Sequence, residues 1–194
     1  MLLFFSNRLA AQDSTEVNVQ QKGKYAFVVY AGGGGFTYMS SVGPASSGTG
    51  ISSAIVRTHP TGIVRIMWHP DHLLRFGLET GYVNFYSYQL KNNSTTGKVH
   101  QEGIPIMAVW SMALTKRINV FAGIGYYYMT TNLDYNGKVN SSAFSLGVNA
   151  SVNYIQPISP KLGIGAELKW IEASQTKDYG MAAEVMLVWK FFEW

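Results

Sequence analysis

Charged side chains are scarce in this chain, and seven of them occur where polar and apolar residues alternate. The seven are Arg65, Arg75, Glu79, Glu167, Lys169, Glu184 and Lys190. Carboxylates in such a set could act as catalytic acids or bases if a cleft brought a substrate to them. Alternatively, the acids and bases could pair with one another inside an enclosed space. The elements that carry these residues decide between the two chemistries.

Two further motifs suggest chemistry, and each has a simpler structural explanation. The glycine run Gly32–Gly35 is not followed by a Gly-Lys-Ser/Thr sequence or a helical pattern, so we expect a turn or bulge in a bent strand and no phosphate loop. His69, Asp71 and His72 could share a metal ion, but Pro70 between them predicts a tight turn. No catalytic residue, cofactor site or metal site is therefore predicted.

The composition excludes several classes of protein. The 194 residues contain no cysteine, which removes disulfides, thiolate metal sites and a cysteine nucleophile. Charged residues make up 13% of the chain, about half of the ~25% that is usual for a soluble domain. The net charge of +4 is modest and its lysines and arginines are scattered, so nucleic acid is not an expected partner. No apolar run reaches the ~18 residues of a transmembrane helix.

The final strand defines the architecture of the chain. Every second residue from Tyr179 to Phe191 is apolar, while the residues between them include Glu184 and Lys190. This period of two indicates a strand. Its apolar face matches the ~9–11 residues that a tilted strand needs to cross a bilayer. The stretch therefore predicts a transmembrane β-strand.

Seven earlier stretches show related alternation, so the sequence predicts eight strands. They are expected at about Lys24–Ser40, Ile55–His69, Leu73–Leu90, Val99–Leu114, Ile118–Leu133, Phe144–Tyr154, Leu162–Trp170 and Tyr179–Phe191. Gly103 and Pro105 predict a bulge in the fourth strand, which leaves the face of Glu102 unassigned. Residues 1–12 are interpreted as a partial signal peptide, 13–23 as a periplasmic tail and 24–194 as the barrel.

The fold class that follows is all-β: an eight-stranded antiparallel up-and-down transmembrane β-barrel in the cell outer membrane of a Gram-negative bacterium. Short turns alternate with longer polar loops, as in outer-membrane barrels. Aromatic groups at Tyr82–Tyr88 and Tyr126–Tyr128 are expected at the outer interface, and Trp189 with Phe191 at the inner one. A closed sheet leaves no backbone group unpaired in hydrocarbon.

The seven charged residues fall on the face opposite the apolar one, so we expect them inside the barrel. The interior of an eight-stranded barrel is just filled by side chains. The sequence therefore predicts a plugged lumen in which these residues form a salt-bridge network. Catalytic use of the carboxylates would need a cleft that this fold lacks.

Four motifs give the chain a resemblance to a known family. They are Phe76–Gly81, Gly103–Met107, Phe121–Tyr126 and the terminal Trp189-Lys190-Phe191. In order and spacing they resemble the small outer-membrane β-barrels, the porin-family proteins similar to OmpX and to the OmpA barrel. The resemblance implies outer-membrane lipid and the barrel-assembly machinery as partners, with Trp189, Phe191 or Trp194 in the terminal recognition signal. The three residues after Phe191 depart from the family pattern.

The sequence predicts a non-enzymatic barrel that acts structurally or as an accessory subunit of a larger outer-membrane protein complex. Two other functions stay open. A lipid-modifying outer-membrane enzyme would depend on a Ser or His at its outer face. A soluble lipocalin-like barrel would bind a ligand, and it would require the inverse arrangement, with apolar residues inside and polar residues outside.

Overall fold

The alternating stretches form strands in the computed structural model of the chain, which describes residues 25–40, 52–70, 73–92, 95–134, 138–174 and 177–194. The expected signal peptide and periplasmic tail, and most of the first loop, lie outside the described residues. The strands are β1 (Ala26–Tyr38), β2 (Ser52–Val56), β3 (Thr58–His69), β4 (Leu74–Asn92), β5 (Thr95–Ala113), β6 (Ile118–Asp134), β7 (Lys138–Pro157), β8 (Leu162–Ala173) and β9 (Asp178–Glu193). No helix long and apolar enough to cross a membrane occurs among these residues.

The strands close into one antiparallel sheet. β1 pairs with both β3 and β9, and β4 pairs with both β3 and β5, so every neighbour is hydrogen-bonded round the ring. The short strand β2 pairs with the C-terminal part of β4 and continues the line of β3. β2 and β3 are therefore two pieces of one barrel strand, on either side of Arg57. The nine segments therefore form eight barrel strands, and the predicted eight-stranded antiparallel barrel is confirmed.

The strands are strongly tilted. A path that follows hydrogen-bonded pairs once round the barrel from Ala173 returns to β8 at Gly163, ten residues away. Such a stagger is what closes a small sheet into a barrel. As a consequence, the sequence alone does not show which residues of different strands lie at the same height in the interior.

The alternation of each strand separates interior from exterior. On β9 the residues Glu184, Met186 and Val188 are buried, whereas Val185 and Leu187 between them are exposed. β8 shows the same pattern along its length. The buried set includes charged residues and the exposed set is apolar, which is the reverse of a soluble barrel.

The glycine run in β1 does not form the turn or bulge that we expected. β1 pairs with β3 without interruption from Ala26 to Thr37, and the irregularity of its pairing with β9 lies at Phe27 and Val28. The glycines are needed for a different reason, because a Cβ added at Gly34 would overlap the carbonyl oxygen of Ala183 on β9. The run therefore allows two backbones to approach closely.

The bulge expected near Gly103 and Pro105 is displaced to the neighbouring strand. The register of β4 against β5 shifts between Asn84 and Tyr86, which gives β4 the extra residue Phe85. Phe85 is fully buried, so its placement in an outer aromatic belt was wrong. The bulge turns an aromatic side chain into the interior, where the sequence alone suggested a continuous outer group.

Candidate functional site in the barrel interior

Five of the seven predicted charged residues meet halfway along the barrel. We call Arg65, Glu79, Glu167, Lys169 and Glu184 the central cluster. All five are buried, with exposures of 1 to 3%. β3, β4, β8 and β9 each contribute to it, so it draws on both sides of the barrel.

Arg65 and Lys169 are the cations at the centre of this cluster. Arg65 donates two hydrogen bonds to Glu167, at 2.8 and 3.0 Å, and its Nε donates to Glu79 at 2.7 Å. The Nζ of Lys169 lies 3.0 Å from Oε1 of Glu79 and 3.5 Å from Oε1 of Glu167. The bidentate geometry of Arg65 and the extra hydrogen bond of Asn149 to Glu79, at 3.0 Å, provide what buried charges need to be tolerated.

Glu184 is the least satisfied member of the central cluster. Its Oε2 lies 3.8 Å from Nζ of Lys169, and neither carboxylate oxygen has a hydrogen-bond partner among the described residues. The cluster contains three carboxylates and two cations. One acid is therefore in excess, and Glu184 is the acid that makes no hydrogen bond to either cation.

Aromatic side chains cover the central cluster at both ends. Towards the short turns, the guanidinium carbon of Arg65 lies 4.1 Å from the ring centroid of Phe121 and 5.7 Å from that of Tyr30. Towards the longer loops, Phe85 contacts both Phe36 and Tyr127 edge to face, with ring centroids 5.5 and 5.8 Å apart. Arg65 thus gains contact with aromatic faces, and the charged layer lies between two layers of buried rings.

Arg75 and Lys190 do not belong to the network, contrary to the sequence prediction. Arg75 lies four residues before Glu79 on β4, nearer the short turns, and donates to Oδ1 of Asn119 at 2.9 Å. Lys190 lies 3.8 Å from Glu193 at the end of β9, and its side chain is 34% exposed. Both residues point inward, but the tilt of the strands places them below the central cluster.

Glu102, whose face was left unassigned, lies on the outer wall. It accepts a hydrogen bond from the hydroxyl of Tyr82 at 2.6 Å, and His100 lies 3.6 Å away. A separate buried polar group lies in the interior at this end, where Asp178 accepts hydrogen bonds from Tyr38 and Gln101. This group could not be predicted from the sequence, because Tyr38 and Asp178 are 140 residues apart along the chain and Gln101 is 77 residues from Asp178.

The three residues of the expected assembly signal lie at the seam where the barrel closes. The backbone of Trp194 exchanges two hydrogen bonds of 3.0 Å with that of Tyr25, and the two rings stack at 5.6 Å. Phe191 lies 6.0 Å from Phe27, ring to ring, while Trp189 is 48% exposed on the outer wall. Trp194 extends the pairing between the first and last strands.

The outer wall is apolar over the whole height at which the interior is charged. Leu78, Val185 and Leu168 are 68, 64 and 54% exposed. Trp68 and Trp189 project outward near the short turns, and Tyr126 and Tyr128 project outward near the opposite end. Aromatic girdles round an apolar band, on a closed sheet with no unpaired edge, define a transmembrane β-barrel. The chain is thus a small barrel of the outer-membrane class, with its short turns on the periplasmic side.

Comparison with solved structures finds outer-membrane proteins of low similarity to this chain. Neisserial surface protein A is 18% identical, with a TM-score of 0.44 over 85% of this chain and 97% of its own. Ail of Yersinia pestis is 9% identical, with a TM-score of 0.45 over 89% of this chain and 99% of its own. The outer membrane protease OmpT of Escherichia coli is 10% identical, with a TM-score of 0.39 over 89% of this chain and 98% of its own. No protein-family model and no curated protein matches the chain.

Proposed function

We propose that this chain is a non-enzymatic outer-membrane barrel whose lumen is plugged, and that it acts structurally or as an accessory subunit of a larger outer-membrane complex. The observation that carries the proposal is the ion pair between Lys169 and Glu79, which joins opposite walls at 3.0 Å. A solute could pass this point only if the pair separated. A buried charge left without its partner is strongly unfavourable, and removing one partner of such a pair costs about 3–5 kcal/mol.

The surroundings of the carboxylates support a non-catalytic role. Glu79 and Glu167 are each engaged by both cations, and rings cover the layer on either side. A catalytic carboxylate must reach a substrate within hydrogen-bonding distance. Groups that are saturated by their neighbours and enclosed in this way are suited to hold the walls together.

Conductance across a planar bilayer tests the plugged lumen. The wild-type barrel should give no ion current, whereas the triple variant Arg65→Ala, Glu79→Ala and Lys169→Ala should give one, because it removes both the Lys169–Glu79 and the Arg65–Glu167 contacts across the lumen. The variant Lys190→Ala, which removes a cation at the rim, is the matched control and should stay silent. Steady single-channel currents from the wild type would refute the proposal.

Native sizing after mild solubilisation tests the role in the membrane. The tagged barrel should be extracted from outer membranes in a neutral detergent, sized and analysed for companions. A stoichiometric companion would support an accessory subunit and would make part of the apolar wall a protein interface. A barrel at its own mass would support the structural role. Release of a modified lipid on incubation with outer-membrane lipid would overturn both.

The terminal aromatic residues support a further part of the proposal, recognition by the barrel-assembly machinery. Trp194 holds the seam between β1 and the end of β9, so it is available for recognition only before the seam closes. A Trp194→Ala variant should accumulate unassembled in the periplasm, while a Trp68→Ala variant should assemble. Equal assembly of both variants would argue against this role.

A further inference from the structure

The periplasmic mouth of the barrel contains a cavity of about 320 Å³ that the proposed function does not use. It lies below the central cluster and is lined by inward-facing residues and by the two short turns after β5 and β7. Its polar lining residues include Tyr30, His69, Arg75, Lys116, Asn119 and Lys161, with Lys190 at the rim. We call this cavity the basic vestibule.

The vestibule is strongly positive. Four of its lining residues are lysines or arginines, and no carboxylate is found among the lining residues that the structure describes. Outside the lining, Glu193 lies 3.8 Å from Lys190 and is 40% exposed at the rim. Like charges facing one space repel one another, so the arrangement is unfavourable unless an anion enters.

The positive charge of the vestibule is not offset by the carboxylates of the central cluster. Tyr30 and Phe121 lie between the two, with ring centroids 5.7 Å apart, and Arg65 packs against them from the other side. The three acids above the rings are engaged with Arg65 and Lys169 or lie beside them. The two charged regions are therefore separate, and the vestibule opens to the periplasm.

Arg75 is held in position to act as a donor. A guanidinium has five N–H donors, of which one is used to fix it to Asn119 at 2.9 Å. Asn119 is in turn fixed by a hydrogen bond to Asn153 at 3.2 Å. A guanidinium that is oriented by a neighbour and flanked by flexible lysines is well suited to an oxyanion with several acceptor oxygens.

We infer that the basic vestibule binds a phosphoryl group, supplied either by a free phosphate-containing anion or by the headgroup of an acidic phospholipid. A phosphoryl group brings up to two negative charges and three acceptor oxygens. At about 30 Å³ per water molecule, the cavity has room for such a group together with part of what it is attached to. The inference goes beyond the plugged barrel and does not depend on it.

Two binding measurements on the purified barrel in neutral detergent test the inference and separate the two sources. Isothermal titration with pyrophosphate probes the free anion. Native mass spectrometry with phosphatidic acid, against phosphatidylcholine, probes the lipid. The variant is Arg75→Gln with Lys190→Gln, and a second variant, Lys116→Gln with Lys161→Gln, alters only exposed turns and spares the fold. The matched control is Lys98→Gln with Lys138→Gln, which removes the same charge at the other end of the barrel.

The expected result is saturable binding of one probe by the wild type, weakened at least tenfold in both vestibule variants and unchanged in the control. Pyrophosphate binding would identify a free anion as the source, and selective retention of phosphatidic acid would identify a lipid. Absence of saturable binding of either probe would overturn the inference. Equal weakening in the control would overturn it as well, since it would show attraction by overall charge.

Discussion

Lys169 on β8 and Glu79 on β4 come from opposite walls, four strands apart in either direction round the barrel, and their charged atoms lie 3.0 Å apart. The pair fixes the width of the lumen at its middle. Arg65 adds a second connection, because it binds Glu79 on the neighbouring strand and Glu167 on the far side. Two ion-pair connections therefore cross the interior, in addition to the hydrogen bonds of the sheet.

Replacing Lys169 by methionine should lower the free energy of unfolding by about 3–5 kcal/mol, because three buried carboxylates would be left with one cation. The measurement is urea-induced unfolding in phospholipid vesicles, followed by tryptophan fluorescence. Lys190→Met is the control, since its pair with Glu193 is partly exposed and should contribute no more than about 1 kcal/mol. Similar losses of unfolding free energy in both variants would show that burial does not determine how much an ion pair stabilises this barrel.

Glu184→Gln should leave the stability unchanged or raise it, because Glu184 is the acid in excess and has no hydrogen-bond partner among the described residues. Glu167→Gln should instead destabilise the barrel by about 3 kcal/mol or more, since Arg65 would lose its bidentate partner. The unfolding midpoints of the two variants, measured side by side, decide the matter. A Glu184→Gln variant as unstable as Glu167→Gln would mean that the excess acid is needed.

The faces of the strands could be predicted from the sequence because alternation has a period of two and needs no knowledge of neighbours. Every one of the seven inward positions was identified in this way. Their heights in the barrel could not be predicted, since these depend on the stagger of the whole sheet. Arg75 and Glu79 share a face of β4, yet only Glu79 reaches the central cluster.

Local irregularities were also beyond the sequence. The bulge that places Phe85 in the interior lies on β4, whereas the glycine and proline that suggested a bulge lie opposite it on β5. A bulge changes the relation between two strands, and the residues of one strand do not reveal which partner carries the extra residue. The pairing of Tyr38 with Asp178 was hidden for a similar reason, because only barrel closure brings β1 next to β9.

The glycine run provides a test of close approach between strands. Gly34→Ala should destabilise the barrel by about 1–3 kcal/mol or more, because the new methyl group would collide with the backbone of Ala183 on β9. Gly35→Ala is a neighbouring control, since no atom lies within 4 Å of its added Cβ. Refolding yield into detergent micelles, read from the mobility of unheated samples on gels, should fall for Gly34→Ala alone. Tolerance of both substitutions would contradict the close approach.

Leu78 and Ile158 distinguish a membrane-facing wall from a water-facing one. The two side chains are about equally exposed, at 68 and 65%, but Leu78 lies on the outer wall beside the central cluster and Ile158 in a short turn. Leu78→Arg should cost about 2–4 kcal/mol in vesicles, because it would place a charge near the bilayer midplane, and Ile158→Arg about 0–1 kcal/mol. In a soluble lipocalin-like barrel both arginines would face water, and neither would lower the free energy of unfolding. Unfolding of the two variants in vesicles measures the difference, and equal stabilities would mean that lipid does not cover this wall.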